Sequence, residues 1–159
     1  MHPTIPAEQI LIEQLPEEAA LPMDLLELAE PDVNAIAEYI NYCIVLVAKK
    51  GEQVVGVLAL SPETKERTEI RNIAVLPAFR KKGIARQLLQ EACSRASRLG
   101  YQVLQVCTSN AGIRQLKVYQ QFGFELTDVR WNYYVEHFPE PILEDGILRR
   151  HQMVLSRLL

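Results

Sequence analysis

A chain of 159 residues is one ordinary domain, long enough to bury about two-thirds of its unfolded surface around a single core. With 48% hydrophobic and 23% charged residues, 7 Gly and 9 Pro, the composition excludes collagen-like and disordered chains, and no apolar run approaches the ~20 residues a membrane helix needs. The net charge of −3 conceals a split: residues 1–48 hold nine acids and neither Lys nor Arg, leaving 11 of the 20 acids against all 17 bases beyond, so the two parts should prefer ligands of opposite sign.

The opening MHPTIPAEQI lacks the basic start, apolar stretch and small-residue cleavage site of a secretory signal, so the cytoplasm is the expected location. Glu8 to Gln14 alternates as a first strand, and Pro16 and Pro22 punctuate the next stretch of chain. From Pro22 the pattern is helical: Leu25, Leu26, Leu28 and Ala29 form one apolar group. Asp32 then caps a second helix with Val33, Ile36, Ala37 and Ile40 at helical spacing.

The run CIVLVAKKGEQVVGVLAL predicts a hairpin turning at Gly51, and Thr68 to Leu76 predicts a strand that Pro77 stops. From Gly83, residues Ile84, Leu88, Leu89, Ala92, Ala96 and Leu99 make one helical stripe, closed by Gly100. YQVLQVCT is the next strand. Ser109 or Asn110 should cap a helix with Ile113, Leu116, Tyr119 and Phe122 inward, ending at Gly123. After the strand FELTDV comes an irregular aromatic stretch, RWNYYVEHFPEPILEDG, then a last strand around Ile147 to Leu155.

A hairpin first and crossover units later predict an α+β fold: a mixed, mostly antiparallel sheet of about seven strands with about four helices on its faces, in one domain over residues 1–159. Cys43, Cys93 and Cys107 are odd in number and widely spaced, with no histidine at ligand spacing, and read as core thiols; no metal site is expected. His137 and His151 are isolated and read as structural.

The chemistry is concentrated in VLPAFRKKGIAR, residues 75–86. A strand ending at Pro77, a loop, and a helix beginning at a glycine leave backbone N–H groups without intrahelical partners, and the helix dipole adds roughly half a positive charge there. Gly83 and Ala85 are small enough for an anion to come close to the backbone, and Arg80, Lys81, Lys82 and Arg86 add countercharge suited to phosphates. Neither G-x-G-x-x-G nor the Walker loop is present; the spacing is Arg-x-x-Gly-x-Ala.

That segment, EIRNIAVLPAFRKKGIARQLL, resembles the acetyl-coenzyme A motif of the GCN5-related N-acetyltransferase superfamily. A second block, CTSNAGIRQLKVYQQFGF, is similar to that family's Asn before a helix followed by Tyr and Gly-Phe, here Asn110, Tyr119, Gly123 and Phe124. The resemblance covers about Val45 to Val129. One departure is Lys81, which stands where many relatives have Gly, so its side chain must point away from the cofactor.

The resemblance implies that acetyl-CoA is a co-substrate, with its diphosphate on the N–H groups of Lys81, Lys82, Gly83, Ile84, Ala85 and Arg86. The pantetheine arm would pair with the strand edge at Ile73, Ala74 and Val75. Asn110 would touch the pantetheine or diphosphate side, and Tyr119 would lie near the sulfur. Acyl transfer needs a neutral amine, a donor for the oxyanion and a proton for the thiolate. A backbone N–H between Ala74 and Leu76 is the candidate for the oxyanion, Tyr119 for the thiolate, and Glu69 for the base. The plainer alternatives are a core tyrosine and a solvated strand charge.

In relatives of this fold the acceptor usually lies between the N-terminal helices and the loop before the last strand. Here that sets the acidic helices of residues 22–40 against Trp131, Tyr133, Tyr134 and Phe138, pointing to a small cationic amine. A protein N-terminus or lysine is the next acceptor, and a catalytically silent acyl-CoA-binding sensor is a different class. A sequence pI of 5.7 argues against nucleic acid, no membrane partner is expected, and a homodimer through exposed aromatics is a further expectation.

Overall fold

The computed structural model describes residues 9–159, so the Glu8 end of the expected first strand lies outside the described residues. The chain-order elements are β1 (Ile10–Gln14), α1 (Met23–Ala29), α2 (Val33–Tyr39), β2 (Ile44–Lys50), β3 (Gln53–Pro62), β4 (Arg67–Val75), α3 (Ile84–Arg98), β5 (Val103–Ser109), α4 (Ile113–Gln121), β6 (Glu125–Arg130), α5 (Tyr133–His137), β7 (Leu143–Glu144), β8 (Ile147–Leu148) and β9 (Gln152–Leu158). Seven strands form one sheet in the order β1-β2-β3-β4-β5-β9-β6. Every neighbouring pair is antiparallel except β4 and β5. This is the expected mixed, mostly antiparallel α+β fold, with five α-helices among the described residues where about four were expected.

The predicted last strand is two elements. Asp145 and Gly146 both take positive φ, 51° and 79°, and fold β7 onto β8 as a two-stranded ribbon, while the sheet strand starts only at Gln152. Asp-Gly at the two central positions of a hairpin is the residue pair such a turn favours.

Two apolar layers cover the sheet. On one face α3 buries Ile84, Leu88, Leu89 and Ala92 against Leu46, Leu58, Ile70 and Leu104. On the other, α1 and α2 bury Leu25, Leu26 and Ile36 against Val45, Val57 and Ala74. Each of the Val, Leu and Ile side chains contributes roughly 1.5–3 kcal/mol by burial, the alanines less. The stripe of α3 was readable except at its end, since Leu99 is 57% exposed beyond the last turn; Ile113 of α4, expected inward, is 59% exposed. Gly56 underlies the start of α3: a Cβ there would meet Leu88 at 3.1 Å and Ala48 and Ile84 at 3.3 Å, tight enough that these side chains would have to shift.

Two irregularities of β4 prepare the site. Its register on β3 slips, with Ala59 opposite Asn72 and Leu60 opposite Ile70, so Arg71 is an extra bulged residue. The bulge resets the alternation: Asn72 and Ala74 face α1 and α2, Ile70 faces α3, and Glu69 again lies on the α1/α2 face. Second, β4 pairs with β5 only from Arg67 to Ile70; β5 runs on to Ser109 against β9, and the two parallel strands part.

Candidate functional site

Among the described residues, the parting leaves one edge of β4 without a strand partner from Arg71 onward. Backbone groups alternate in direction along a strand. Leu76 N–H donates to Val55 O at 2.9 Å, so Leu76 and, two residues earlier, Ala74 turn toward β3, whereas Ile73 and Val75 turn toward the gap. Of the three edge residues expected from the sequence, Ala74 therefore faces the other way, with its methyl in the α1/α2 core. Leu76 likewise has no N–H to offer an oxyanion. Val75 O already accepts from Arg80 Nε at 3.1 Å, which anchors that guanidinium at the mouth of the gap.

At the same mouth lies the start of α3. The N–H groups of Phe79 and Arg80 are spent on Leu76 O and Pro77 O in a tight turn, and the first helical bond is Gln87 N–H to Gly83 O. The N–H groups of residues 81–86 donate to no protein group among the described residues. Gly83 adopts φ 80° as it turns the chain into the helix, and Lys81 adopts φ 62°, a left-handed conformation that disfavours side chains. The place where relatives carry Gly thus has a glycine-like backbone. Lys82 lies over the Phe79 ring at 5.5 Å and Arg86 over Phe122 at 5.8 Å, and neither is within salt-bridge distance of an acid among the described residues. Free amides, unpaired cations and an open strand edge fit a carrier with a diphosphate and a chain of amides. Ile84, whose side chain is 2% exposed, has only its amide to offer.

Tyr119 rises from α4 on the α3 side, 6% exposed, its ring 5.9 Å from Phe124 in a T-shaped pair. Burial, then the neighbouring Cys107, push its hydroxyl up to about 12. No hydrogen bond among the described residues engages that hydroxyl, and Asn72 Oδ1 is the one fully buried side-chain oxygen or nitrogen there without a partner, so the Tyr119 hydroxyl is not completely sealed off. It is both a core ring and a free donor.

Glu69 stands on the opposite face and is not a solvated charge: it is 7% exposed. Gln105 Nε2 donates to its Oε1 at 2.7 Å, Cys107 Sγ donates to the same oxygen at 3.2 Å, and Arg71 Nε lies 3.5 Å from Oε2. Cys107, on β5 where the strands part, neighbours both Glu69 and Tyr119. Burial, then Glu69, push its thiol up to about 12, and burial pushes Cys43 to about 11, which makes both poor nucleophiles at neutral pH.

Asn110 does something else than expected. Its Oδ1 accepts from the N–H of Arg150 at 2.8 Å and of His151 at 3.0 Å, and its Nδ2 donates to Leu148 O at 3.1 Å. Neither it nor Ser109 caps α4, whose N-cap is Gly112 without a side-chain bond. Asn110 instead straps the β8–β9 connection to the end of β5. Trp131 is 70% exposed, with its ring 4.8 Å from His151, whose Nδ1 accepts from Asn132 N–H.

The profile of the Acetyltransferase (GNAT) family matches residues 9–124. The chain belongs to the GNAT family. The relative named uncharacterized N-acetyltransferase YvbK, from Bacillus subtilis strain 168, is 34% identical to this GNAT protein over 132 residues, 83% of this chain and 85% of the relative. A GNAT family acetyltransferase from Elizabethkingia anophelis, solved with acetyl-CoA bound, superposes with TM-score 0.90 at 36% identity over 94% of this chain and 98% of the other. A Bacillus subtilis acetyltransferase in complex with CoA gives TM-score 0.89 at 32% identity, over 95% and 99%. This GNAT protein is an acetyl-CoA-dependent N-acetyltransferase, and no helix among its described residues is long and apolar enough to cross a membrane.

Proposed function

We propose that the acetyl group passes directly to the primary amine of a small molecule that arrives as an ammonium cation, with Glu69 drawing off the amine proton and Tyr119 facing the departing sulfur. The observation that supports this is placement: a buried carboxylate on one face of the sheet, an unpartnered phenol on the other, and Cys107 hydrogen-bonded to the first and near the second. When bound, acetyl-CoA supplies the activated acyl group; what remains falls to the chain's own residues.

The free N–H groups of residues 81–86 would take the diphosphate, with Arg80, Lys82 and Arg86 adding charge. The backbone edge of Ile73 and Val75 would pair with the amides of the pantetheine arm, and the Val75 N–H is the donor available to charge developing on the acetyl oxygen. An alkyl amine with pKa near ~10.4 is mostly protonated at neutral pH, so a carboxylate in contact with it both attracts the cation and accepts its proton. Glu63, pushed up by burial and then by the charge of Glu69, adds a second carboxyl at this spot. The Tyr119 phenol, held protonated, donates a hydrogen bond to the thiolate.

The test is Glu69→Gln, combined with release of free thiol from acetyl-CoA with a panel of small amines and short peptides. Loss of the base should lower kcat by roughly 100-fold or more while leaving acetyl-CoA affinity unchanged, and should make the rate climb with pH as the amine deprotonates by itself. A variant with wild-type kcat and an unaltered pH profile would remove Glu69 from the mechanism; turnover confined to peptides would move the acceptor to a protein amine.

A further inference from the structure

The surface around Glu69 is not simply acidic. Two guanidinium groups stand near Glu69 and Glu63, and neither makes a short ion pair with them. Arg71, the bulged residue of β4, is 3.5 Å from Glu69 and 4.0 Å from Glu63, distances longer than the 2.7–2.9 Å of a well-formed charged hydrogen bond. Its guanidinium lies over the Tyr39 ring at 4.7 Å, which fixes its plane while the side chain stays 39% exposed. Arg130, at the end of β6, reaches across β9: Nη1 donates to the neutral amide oxygen of Gln152 at 2.6 Å and comes within 4.0 Å of Cys107 Sγ. Among the described residues no carboxylate lies within salt-bridge distance of Arg130.

The two arginines come from opposite sides of the same patch. Arg130 Nη1 lies 4.0 Å from Cys107 Sγ, which donates to Glu69 Oε1 at 3.2 Å, while Arg71 Nε is 3.5 Å from Glu69 Oε2. Both arginines thus border the Glu69–Cys107 pair, and both oppose the upward push on Cys107 and Glu63. A guanidinium held in place by a neutral amide, next to a buried carboxylate, retains its donors for an anion from outside.

We propose that the acceptor carries a carboxylate as well as its amine, an amino acid or similar zwitterion, and that Arg71 and Arg130 recognise the carboxylate while Glu69 and Glu63 face the ammonium group. This rests on the reading of Glu69 as the amine's partner. It deepens that reading by naming a substrate class: a polyamine would set a second positive charge against two arginines, whereas a zwitterion meets a partner at each end. Arg130 is then a specificity-determining residue, since it binds a part of the acceptor that does not react.

Matched acceptors provide the test: amino acids, the same compounds as carboxamides, and the corresponding amines without the carboxyl carbon. Wild-type enzyme should use the carboxylate member with kcat/KM roughly tenfold or more above its partners, the scale of a lost charged, bidentate contact. Arg130→Gln should abolish that preference through KM, with kcat and CoA affinity retained, while Arg130→Lys restores part of it. Equal or better use of the uncharged or purely cationic members, or a preference that survives in Arg130→Gln, would overturn the zwitterion proposal and leave the base role of Glu69 standing. Loss of preference without any effect of Glu69→Gln would do the reverse. If no compound turns over, calorimetric titration of the same matched set into the CoA-bound enzyme decides: carboxylate-dependent binding lost in Arg130→Gln supports the proposal, and none overturns it.

Discussion

Tyr119→Phe separates a core tyrosine from a catalytic one, because its ring is packed in the core while its hydroxyl has no protein partner among the described residues. The ring packs against Phe124 and lies in the main core, so truncation to Ala should cost about 3–5 kcal/mol of stability. The hydroxyl has no protein partner among the described residues, so its removal alone should change stability by less than about 1 kcal/mol. If the hydroxyl donates to a departing thiolate, the lost bond to a charged atom is worth about 1.5–3 kcal/mol, or roughly 10- to 150-fold in kcat. Since burial and Cys107 hold the phenol up at about 12, it stays protonated through neutral and mildly alkaline pH, and the wild-type rate should show no fall from its ionisation below about pH 10. The assay is thiol release at saturating acetyl-CoA, with CoA affinity by calorimetry and the melting temperature measured on the same samples. A Phe variant that keeps more than half of wild-type kcat, or that loses activity only together with several kcal/mol of stability, would refute the reasoning.

Asn110→Ala strands two N–H groups and one carbonyl at the β8–β9 connection and should cost about 2–4 kcal/mol, read as a lower denaturant midpoint, with CoA affinity the less affected quantity; the reverse pattern would restore Asn110 to the cofactor. Lys81→Gly should raise or preserve the melting temperature, since it relieves a residue at φ 62° at a cost of about 0.5–1 kcal/mol in chain entropy, whereas Lys81→Val should lower it. Replacing Arg80 and Lys82 with Ala should weaken CoA binding more at low than at high ionic strength, and a salt-independent affinity would contradict the phosphate role. Tyr119, Cys43 and Cys107 are pushed up to about 12, 11 and 12 from 10, 9 and 9. The folded chain then keeps protons that the unfolded chain releases, so stability is full below about pH 9 and falls between about pH 9 and 12, by up to ~1.4 kcal/mol per pH unit for each group. Urea midpoints equal at pH 8 and pH 10.5 would contradict it.

The range of each interaction decided whether the sequence disclosed it or hid it. The helix start at Gly83 was legible because unpaired N–H groups at a helix end are a local property of Pro77 through Arg86. The hairpin and α3 were legible for the same reason, their periodicity being written in adjacent residues. Glu69 was named as the base, but its burial was not legible: it depends on Gln105 and Cys107, 36 and 38 residues away on the neighbouring strand. Asn110 looked like a helix cap because caps are local, yet its partners lie 38 to 41 residues downstream. The bulge at Arg71 sets the face on which Glu69 stands, and nothing in TEIRNIAVL signals it. Asp145-Gly146 did carry a hairpin signal, which its surroundings of Pro and charged residues obscured. Trp131, grouped with the acceptor through the resemblance, is 70% exposed.

The most direct measurement is backbone amide NMR during titration with CoA. The N–H signals of residues 81–86, and those of Ile73 and Val75 on the open edge of β4, should shift strongly and gain protection from exchange, while those of Phe79 and Leu76, already bonded within the protein, should change little. Saturable CoA binding that leaves residues 81–86 unprotected, or that protects a different helix end, would contradict the claim that these free amides form the diphosphate cradle.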